Sequence, residues 1–518
     1  MPCTPVAASD ATSDKDTQQS RGFVAIRIYA NTPDTEPHSW TGLAVTSAGG
    51  DKFNLDIKRS ETRRTSKIFA GYLPQGHYRL RGLTGLRSNP EIGPGFEFDV
   101  RPGTLTNLGT LIFQPTGEGK ATFVTFAKYG DLAGILPEEF RELAQGGADR
   151  KPLGWHRANS ENVGTSGQEV ASPMQAGITG AVIASIVNAR NLTDKRADWA
   201  DATDPARRLL ISKGSTYSLN AVQELPNGEL LAGSNLGQLL LRSKTGDWTN
   251  IDLDDPREVT ALHARDRMVL NAGGEEGMLK QSTDGGKTWT DLGAPVKFGL
   301  VLHLAEVNGE LFVLSVADGR VYLHSRLNVH GAGWNELKNL PSEGVAGYAR
   351  MTSRGTINDG KYSIVIPGKE IHSFDLTKKT WAMSALPKEV DDVRSNGQSI
   401  YSNSFTFKPQ HSTDAGATWN KVANPCRGWI SIVVDFAMLN PHDAWAVCMH
   451  SGAFAGSTSI RKSSDGGRSW SELVKETPLI VTQFVATNTV LLYIDRDTKI
   501  YSSRDGGISW NRDRRPFN

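Results

Sequence analysis

Two kinds of residue in the C-terminal half could do acid–base chemistry. Asp391 and Asp392 adjoin one short strand-like run, and Asp435 lies in another. Two carboxyl groups facing each other across a cleft are what glycoside hydrolysis requires, one as acid and one as base or nucleophile. The imidazoles include His263, His303, His324, His372, His411, His442 and His450. None lies beside a Gly-x-Ser-x-Gly elbow, which argues against a Ser–His–Asp hydrolase. No zinc, P-loop or dinucleotide motif is present, so neither a metal nor a cofactor is expected. Binding chemistry is better represented: Tyr348 with Arg350, Asp392 with Arg394, and Arg427 with Trp429. Trp beside Arg suits a protein contact and equally the stacking of a sugar. Each of these residues also fits a plain packing or solvated role.

What must position them is a repeat. Ser-x-Asp-x-Gly-x-[Thr/Ser]-Trp occurs as STDGGKTW at Ser282–Trp289, STDAGATW at Ser412–Trp419, SSDGGRSW at Ser463–Trp470 and SRDGGISW at Ser503–Trp510. Asp at the start of a tight turn accepts backbone N–H groups about two residues on, and Gly supplies a positive φ. Asp284, Asp414, Asp465 and Asp505 are therefore read as structural, with Trp289, Trp419, Trp470 and Trp510 opening the next strand and packing over the turn. An EF-hand loop would need more carboxylates and a distal Glu. Decayed copies end at Trp248, Trp334 and Trp381, and the seven tryptophans are separated by 41, 45, 47, 38, 51 and 40 residues. That is the length of a four-stranded propeller blade. Within each interval, β-branched runs alternate with turn dipeptides such as Pro226-Asn227-Gly228. The expectation is seven blades over residues 205–518, with the repeated turn between the third and fourth strands. Arg207–Ser212 is a candidate for an extra strand that closes the last blade.

These turns resemble the Asp-box of sialidase-type repeats. Sialidases hold the substrate carboxylate with an arginine triad whose first member sits in an Arg-Ile-Pro motif. This chain has no such motif; the nearest string, IVIPG at Ile364–Gly368, lacks the Arg. Without that clamp the sialidase reaction has no anchor. The whole repeat array is also similar to the photosystem II assembly factors and related exported Asp-box propellers, a resemblance that implies client-protein binding without a catalytic triad.

The N-terminal half is built differently. Residues 1–20 are rich in Thr, Ser, Ala, Asp and Gln and read as a disordered tether. Cys3 ahead of that tether resembles the lipidated first residue of a mature bacterial lipoprotein; the alternative is an ordinary exposed thiol. Residues 21–115 read as a β-sandwich. Lys67–Leu83 and Phe96–Phe113 resemble the Leu-Pro-x-Gly-x-Tyr hairpin and closing strands of transthyretin-like and carboxypeptidase-regulatory-like domains, which implies a non-catalytic module. Residues 116–204 read as a linker with helices, at Pro137–Gln145 and in Ser172–Arg190. The uncharged run Ala176–Ala189 is too short for a confident membrane span.

The chain has 518 residues and a formal net charge of +1, so no basic field argues for nucleic acid. The two remaining cysteines, Cys426 and Cys448, flank the first strands of the sixth blade, where either a disulfide or two buried thiols is conceivable. The expectation is a mainly all-β protein: β-sandwich, short helical linker, seven-bladed β-propeller. Its expected role is non-catalytic binding of a protein partner through the propeller face, in the periplasm or anchored to the outer membrane of a bacterial cell envelope. Membrane contact would come only through Cys3. The alternative is a glycan-acting protein, either hydrolase or lectin-like.

Overall fold

A serine, an aspartate and a glycine close each repeated turn. Ser282 Oγ donates to Asp284 Oδ1 at 2.8 Å and accepts the Gly286 N–H at 2.8 Å. Asp284 in turn accepts the N–H of Lys287 and of Thr288, and the Thr288 hydroxyl at 2.6 Å. The aspartate's donors thus come three and four residues on, not two, because the serine hydroxyl takes the nearer groups. The same bonds recur around Asp465 and Asp505, and in large part around Asp414. Hydroxyl and backbone donors hold Asp284, Asp465 and Asp505 well below the usual carboxylate range. The Gly four residues after each turn serine has positive φ and also abuts the preceding blade. A Cβ on Gly416 would come 2.2 Å from Ile371, and one on Gly507 2.9 Å from Leu473.

The structure, a computed structural model, describes residues 20–30, 40–58, 65–85, 96–117, 120–126, 166–167, 219–327, 333–342, 354–358, 360–366, 369–387, 393–395, 400–402, 409–426, 431–450, 457–477, 481–495 and 499–514. The C-terminal half forms seven four-stranded antiparallel sheets, the blades of a propeller, over residues 221–252, 259–291, 300–341, 354–385, 393–421, 431–474 and 481–512. Every Ser-x-Asp turn joins the third strand of its blade to the fourth.

The seven tryptophans do more than cover their turns. Each belongs to the apolar cluster between its own blade and the blade before it: Trp289 to the joint of blades one and two, Trp334 to two and three, and so on round to Trp510 at six and seven. Trp248 packs in the joint that closes the ring, between blades seven and one. Burying one large ring per joint is the repeat's contribution to packing.

Among the described residues the last blade has four strands, over 481–512, and Arg207–Ser212 lie outside them. The ends are joined by a parallel bridge between Asp247 and Arg514 and by the Trp248 N–H donating to the Arg514 carbonyl at 2.9 Å.

The N-terminal half is one hydrogen-bonded sheet of nine strands: Arg21–Ala30 (β1), Trp40–Ser47 (β2), Lys52–Lys58 (β3), Ser66–Pro74 (β4), Gly76–Gly85 (β5), Glu97–Val100 (β6), Leu105–Gly117 (β7), Lys120–Phe126 (β8) and Ser166–Gly167 (β9). Their order is β6-β5-β2-β3-β4-β1-β7-β8-β9, and β1 and β7 are parallel. The sheet curls, because Trp40 of β2 packs edge-on to Phe113 of β7, 5.5 Å away, although three strands lie between them in the order. The strands extend past residue 115 through β8. Among the described residues the only helical segment is a single 3-10 turn, Glu275–Gly277. The expected helices at Pro137–Gln145 and within Ser172–Arg190, and Cys3, lie outside them.

Candidate functional site

Neighbouring blades are tied to one another by side chains on or beside their innermost strands. Gln223 of blade one exchanges two bonds with Ala264 of blade two. The Thr260 hydroxyl of blade two reaches the Val301 carbonyl of blade three, and His303 Nδ1 meets the Tyr362 hydroxyl of blade four at 2.8 Å. Gln483 of blade seven returns to Leu219 at 2.6 Å.

Two of the sequence-derived site residues belong to this ring. Arg394 of blade five donates to Asp435 Oδ1 of blade six at 2.7 Å. Asp435 also accepts the N–H of Phe436 at 2.9 Å and of Phe484, in blade seven, at 2.8 Å. It is 1% exposed. A carboxylate held by three donors and buried between blades is a clamp; it has no open face for a substrate. Tyr348, Arg350, Asp391, Asp392, Arg427 and Trp429 lie outside the described residues. Cys426 and Cys448 form a disulfide, with Cα atoms 5.5 Å apart. The bond ties the approach to blade six to its second strand. Burial lowers the pKa of His263, His324 and His411. Among the described residues no group of three or more His, Cys, Asp or Glu side chains could hold a metal ion.

A second polar cluster, absent from the sequence reading, joins the two halves. Val24, Ile26 and Ile28 of β1 point into the sheet's own core, so Arg27 points the other way and is fully buried. Its Nη2 donates to Glu276 Oε2 of blade two at 2.9 Å. The adjacent Glu275 accepts the Thr65 N–H at 2.6 Å and the Thr65 hydroxyl at 3.2 Å. Arg257 donates to the Glu276 carbonyl and pairs with Asp255 at 2.6 Å. This cluster fastens the sheet onto the loops at one end of blade two. An Arg inside the apolar run Phe23–Ala30, and a Glu pair in a blade turn, are its sequence signals.

A groove of about 570 Å³ runs along the outer part of the joint between blades six and seven. One wall is Leu473 and Val474 of the outer strand of blade six, continuing through Lys475, Glu476 and Thr477. The other is aromatic. Tyr493 stacks on Tyr501 with centroids 4.7 Å apart, and Trp510 lies 4.8 Å from Tyr493. The Trp510 indole N–H is pinned to the Gly507 carbonyl at 3.0 Å. Burial, with Tyr501 and Asp495 adding to it, pushes the Tyr493 phenol well above its ordinary pKa, so it stays neutral. Ile508 stands at the lip, 75% exposed.

The sequence held a signal for this groove. At the turn position of Ile508 the other copies carry Lys287, Ala417 and Arg468. At the position of Tyr501, two residues before the turn serine, they carry Lys280, Gln410 and Arg461. The last blade alone among the four full copies puts an exposed aliphatic and an aromatic residue there. The groove offers van der Waals contact and stacking, with one Lys and one Glu at its rim.

No protein-family model matches the chain, and no curated protein matches it. Solved structures with similar rings include YCF48 bound to D1 peptide, at 14% identity over 54% of this chain and 94% of that one, with a TM-score of 0.40. YCF48 from Cyanidioschyzon merolae is similar at 16% identity over 54% and 91%, with a TM-score of 0.39. The WD40 beta propeller domain of Doa1 is similar at 12% over 55% and 92%, with a TM-score of 0.38. These likenesses concern the propeller fold, and no function is carried over from them.

Proposed function

We propose that the chain is a non-catalytic binding protein and that the groove between blades six and seven receives an apolar or aromatic side chain of a protein partner. One observation carries this reading: the Tyr493–Tyr501–Trp510 wall with exposed Ile508 at its lip, where the other full repeats carry polar or small residues. Its volume is in the range of small-ligand sites. Hydrolysis of a glycan needs two carboxyl groups, and the groove lining holds one, Glu476. A lectin-like role is the second reading, since a tyrosine and tryptophan wall also suits a sugar ring. Tyr348, Arg350, Asp392, Arg427 and Trp429 remain candidates for further contacts at the propeller face. The Cys426–Cys448 bond supports an oxidising compartment such as the cell envelope, with lipidation of Cys3 as the proposed anchor.

The test is selection of a displayed random-peptide library on the full chain, run beside a glycan array. The expected outcome is enrichment of peptides with aromatic or branched apolar residues, whose affinity falls at least about tenfold in Tyr501→Ala. Glycan binding that depends on Tyr501, with no peptide that does, would favour the lectin-like reading. Turnover of a glycan by the native chain would overturn the non-catalytic one.

A further inference from the structure

Among the described residues the outer strand of each blade is an edge of its sheet, bridged only in blade one, where the Trp248 N–H meets the Arg514 carbonyl, and proteins usually place charge on such edges to prevent pairing with other chains. Six of the seven outer strands follow that rule: Trp248–Asp252, Thr290–Asp291, Asn335–Pro341, Asn420–Lys421, Ser471–Val474 and Asn511–Arg512 each contain a charged residue. The outer strand of blade four, Trp381–Ala385, reads Trp-Ala-Met-Ser-Ala and contains none. Ala382, Met383 and Ala385 are exposed, and Met383 is 63% exposed.

The register shows which backbone groups this edge offers. The Leu386 N–H donates to the Lys369 carbonyl, and the Asp375 N–H to the Thr380 carbonyl. In an antiparallel pair, hydrogen-bonded and non-bonded positions alternate. Ser384, opposite Ile371, and Ala382, opposite Ser373, therefore turn their N–H and C=O groups inward to the third strand. Trp381, Met383 and Ala385 turn theirs outward, where no described strand pairs with them. Cations gather at the Trp381 end. Lys338 Nζ lies 5.0 Å from the Trp381 ring centroid, and Lys378 and Lys379 are exposed in the turn that leads into the strand. Of the nearby carboxylates, Glu310 meets Lys379 at 3.4 Å, Glu370 meets His372 at 2.8 Å, and Asp375 accepts the N–H groups of Thr377 and Lys378.

We propose that this edge of blade four docks an extended segment of a partner protein, added as a fifth strand, with apolar side chains along Met383 and an acidic residue at the Trp381 end. Strand addition supplies main-chain bonds through Trp381, Met383 and Ala385, and alternate side chains supply selectivity. A second copy of this chain is the weaker occupant. Two convex rings meeting along a five-residue strand cover far less than the ~1,200 Å² of a stable interface, whereas a flexible segment follows the edge alone. The site lies on a different blade from the aromatic groove and stands independently of the function proposed for it.

The experiment is fluorescence anisotropy on the full chain with two labelled peptides of about eight residues, the span of an ordinary strand. Both alternate Val and Thr; one ends in Asp-Glu and the other in Lys-Lys. The acidic peptide is expected to bind the native chain at least about fivefold tighter than the basic one. Met383→Pro removes an outward N–H but no bond to the third strand, and should weaken binding at least about tenfold, while Met383→Leu stays within about twofold. Ala385→Pro repeats the test at a second outward N–H, and thermal melting checks that each variant is folded. Failure of the acidic peptide to bind, equal binding by the native chain and both folded Pro variants, or equal binding of the two peptides would overturn the proposal. So would a dimer in sedimentation that Met383→Pro dissociates, since the edge would then serve self-association.

Discussion

Blade seven meets its two neighbours in opposite ways. Against blade one the joint is closed by charge. Arg242 Nε donates to Asp513 Oδ2 at 2.5 Å, Arg242 Nη2 to Asp513 Oδ1 at 3.1 Å, the Trp248 indole to Asp513 Oδ2 at 2.9 Å, and the Ser502 hydroxyl to Asp513 Oδ1 at 2.6 Å. Arg242, Trp248 and Asp513 are all buried. Against blade six the joint is aromatic and opens outward into the groove. The difference follows from chain connectivity. Blades six and seven are consecutive, so their association is nearly intramolecular at short range. Blades one and seven close a loop in which Arg242 and Asp513 are 271 residues apart, and closing a longer loop costs more entropy. Directional, charge-assisted bonds are placed where the ring would otherwise open, and the joint that connectivity already holds is left free to present a surface.

The largest test of this contrast is Asp513→Ala. It leaves Arg242 buried without its carboxylate, which costs roughly 3–5 kcal/mol, and chemical denaturation should show that loss. A loss below about 1 kcal/mol would mean that apolar packing closes the ring by itself. Next come the two tryptophans as a matched pair. Trp248→Phe removes a donor to a buried carboxylate and is expected to cost about 1.5–3 kcal/mol. Trp510→Phe removes a bond to the Gly507 carbonyl at a partly exposed site, so about 0.5–1.5 kcal/mol is expected. Equal losses would break the distinction between the joints. Third, Tyr501→Ala should separate binding from folding. Its stability cost is expected near 1 kcal/mol, because the side chain is only half-buried, while peptide affinity falls by about 1.4 kcal/mol or more. Loss of cooperative unfolding instead would make Tyr501 part of the joint's core.

The legibility of these features tracks how local and how repeated they are. The Ser-x-Asp turn was readable because its bonds fall within five residues and recur around the ring; four copies and three decayed ones led to seven blades and to the correct turn in each blade. The groove was half-readable. Tyr501 and Ile508 stand out only when the copies are laid in register, as departures from a pattern read for its constancy. Arg242 with Asp513, and Arg27 with Glu276, were not readable. Each pair occurs once, with 271 and 249 residues between its members, and nothing within a short window marks an Arg whose partner lies on another blade or in another sheet. Asp435 reads from sequence as either a reacting or a plain solvated carboxylate, and its donors escape a short window for the same reason, since they come from three different blades.

The smallest predicted effect concerns the turns themselves, which connect strands within blades and close no ring. Gly285, Gly466 and Gly506 occupy the left-handed region at one turn position, and in blade five that position is Ala415, with φ 58°. A left-handed residue with a Cβ costs about 1–2 kcal/mol, and glycine returns about 0.4–1 kcal/mol of that through the freer unfolded chain. Ala415→Gly should therefore stabilise the protein by about 0.5–1 kcal/mol. The converse, Gly506→Ala, places a Cβ 3.5 Å from the mobile end of Lys462, so backbone strain is its main term and a loss of about 1 kcal/mol is expected. Both changes should leave the Asp513→Ala penalty unaltered in double variants, because distant sites add. A coupling above about 0.5 kcal/mol would show that the turns share in closing the ring, and the contrast between the two joints of blade seven would then need to include them.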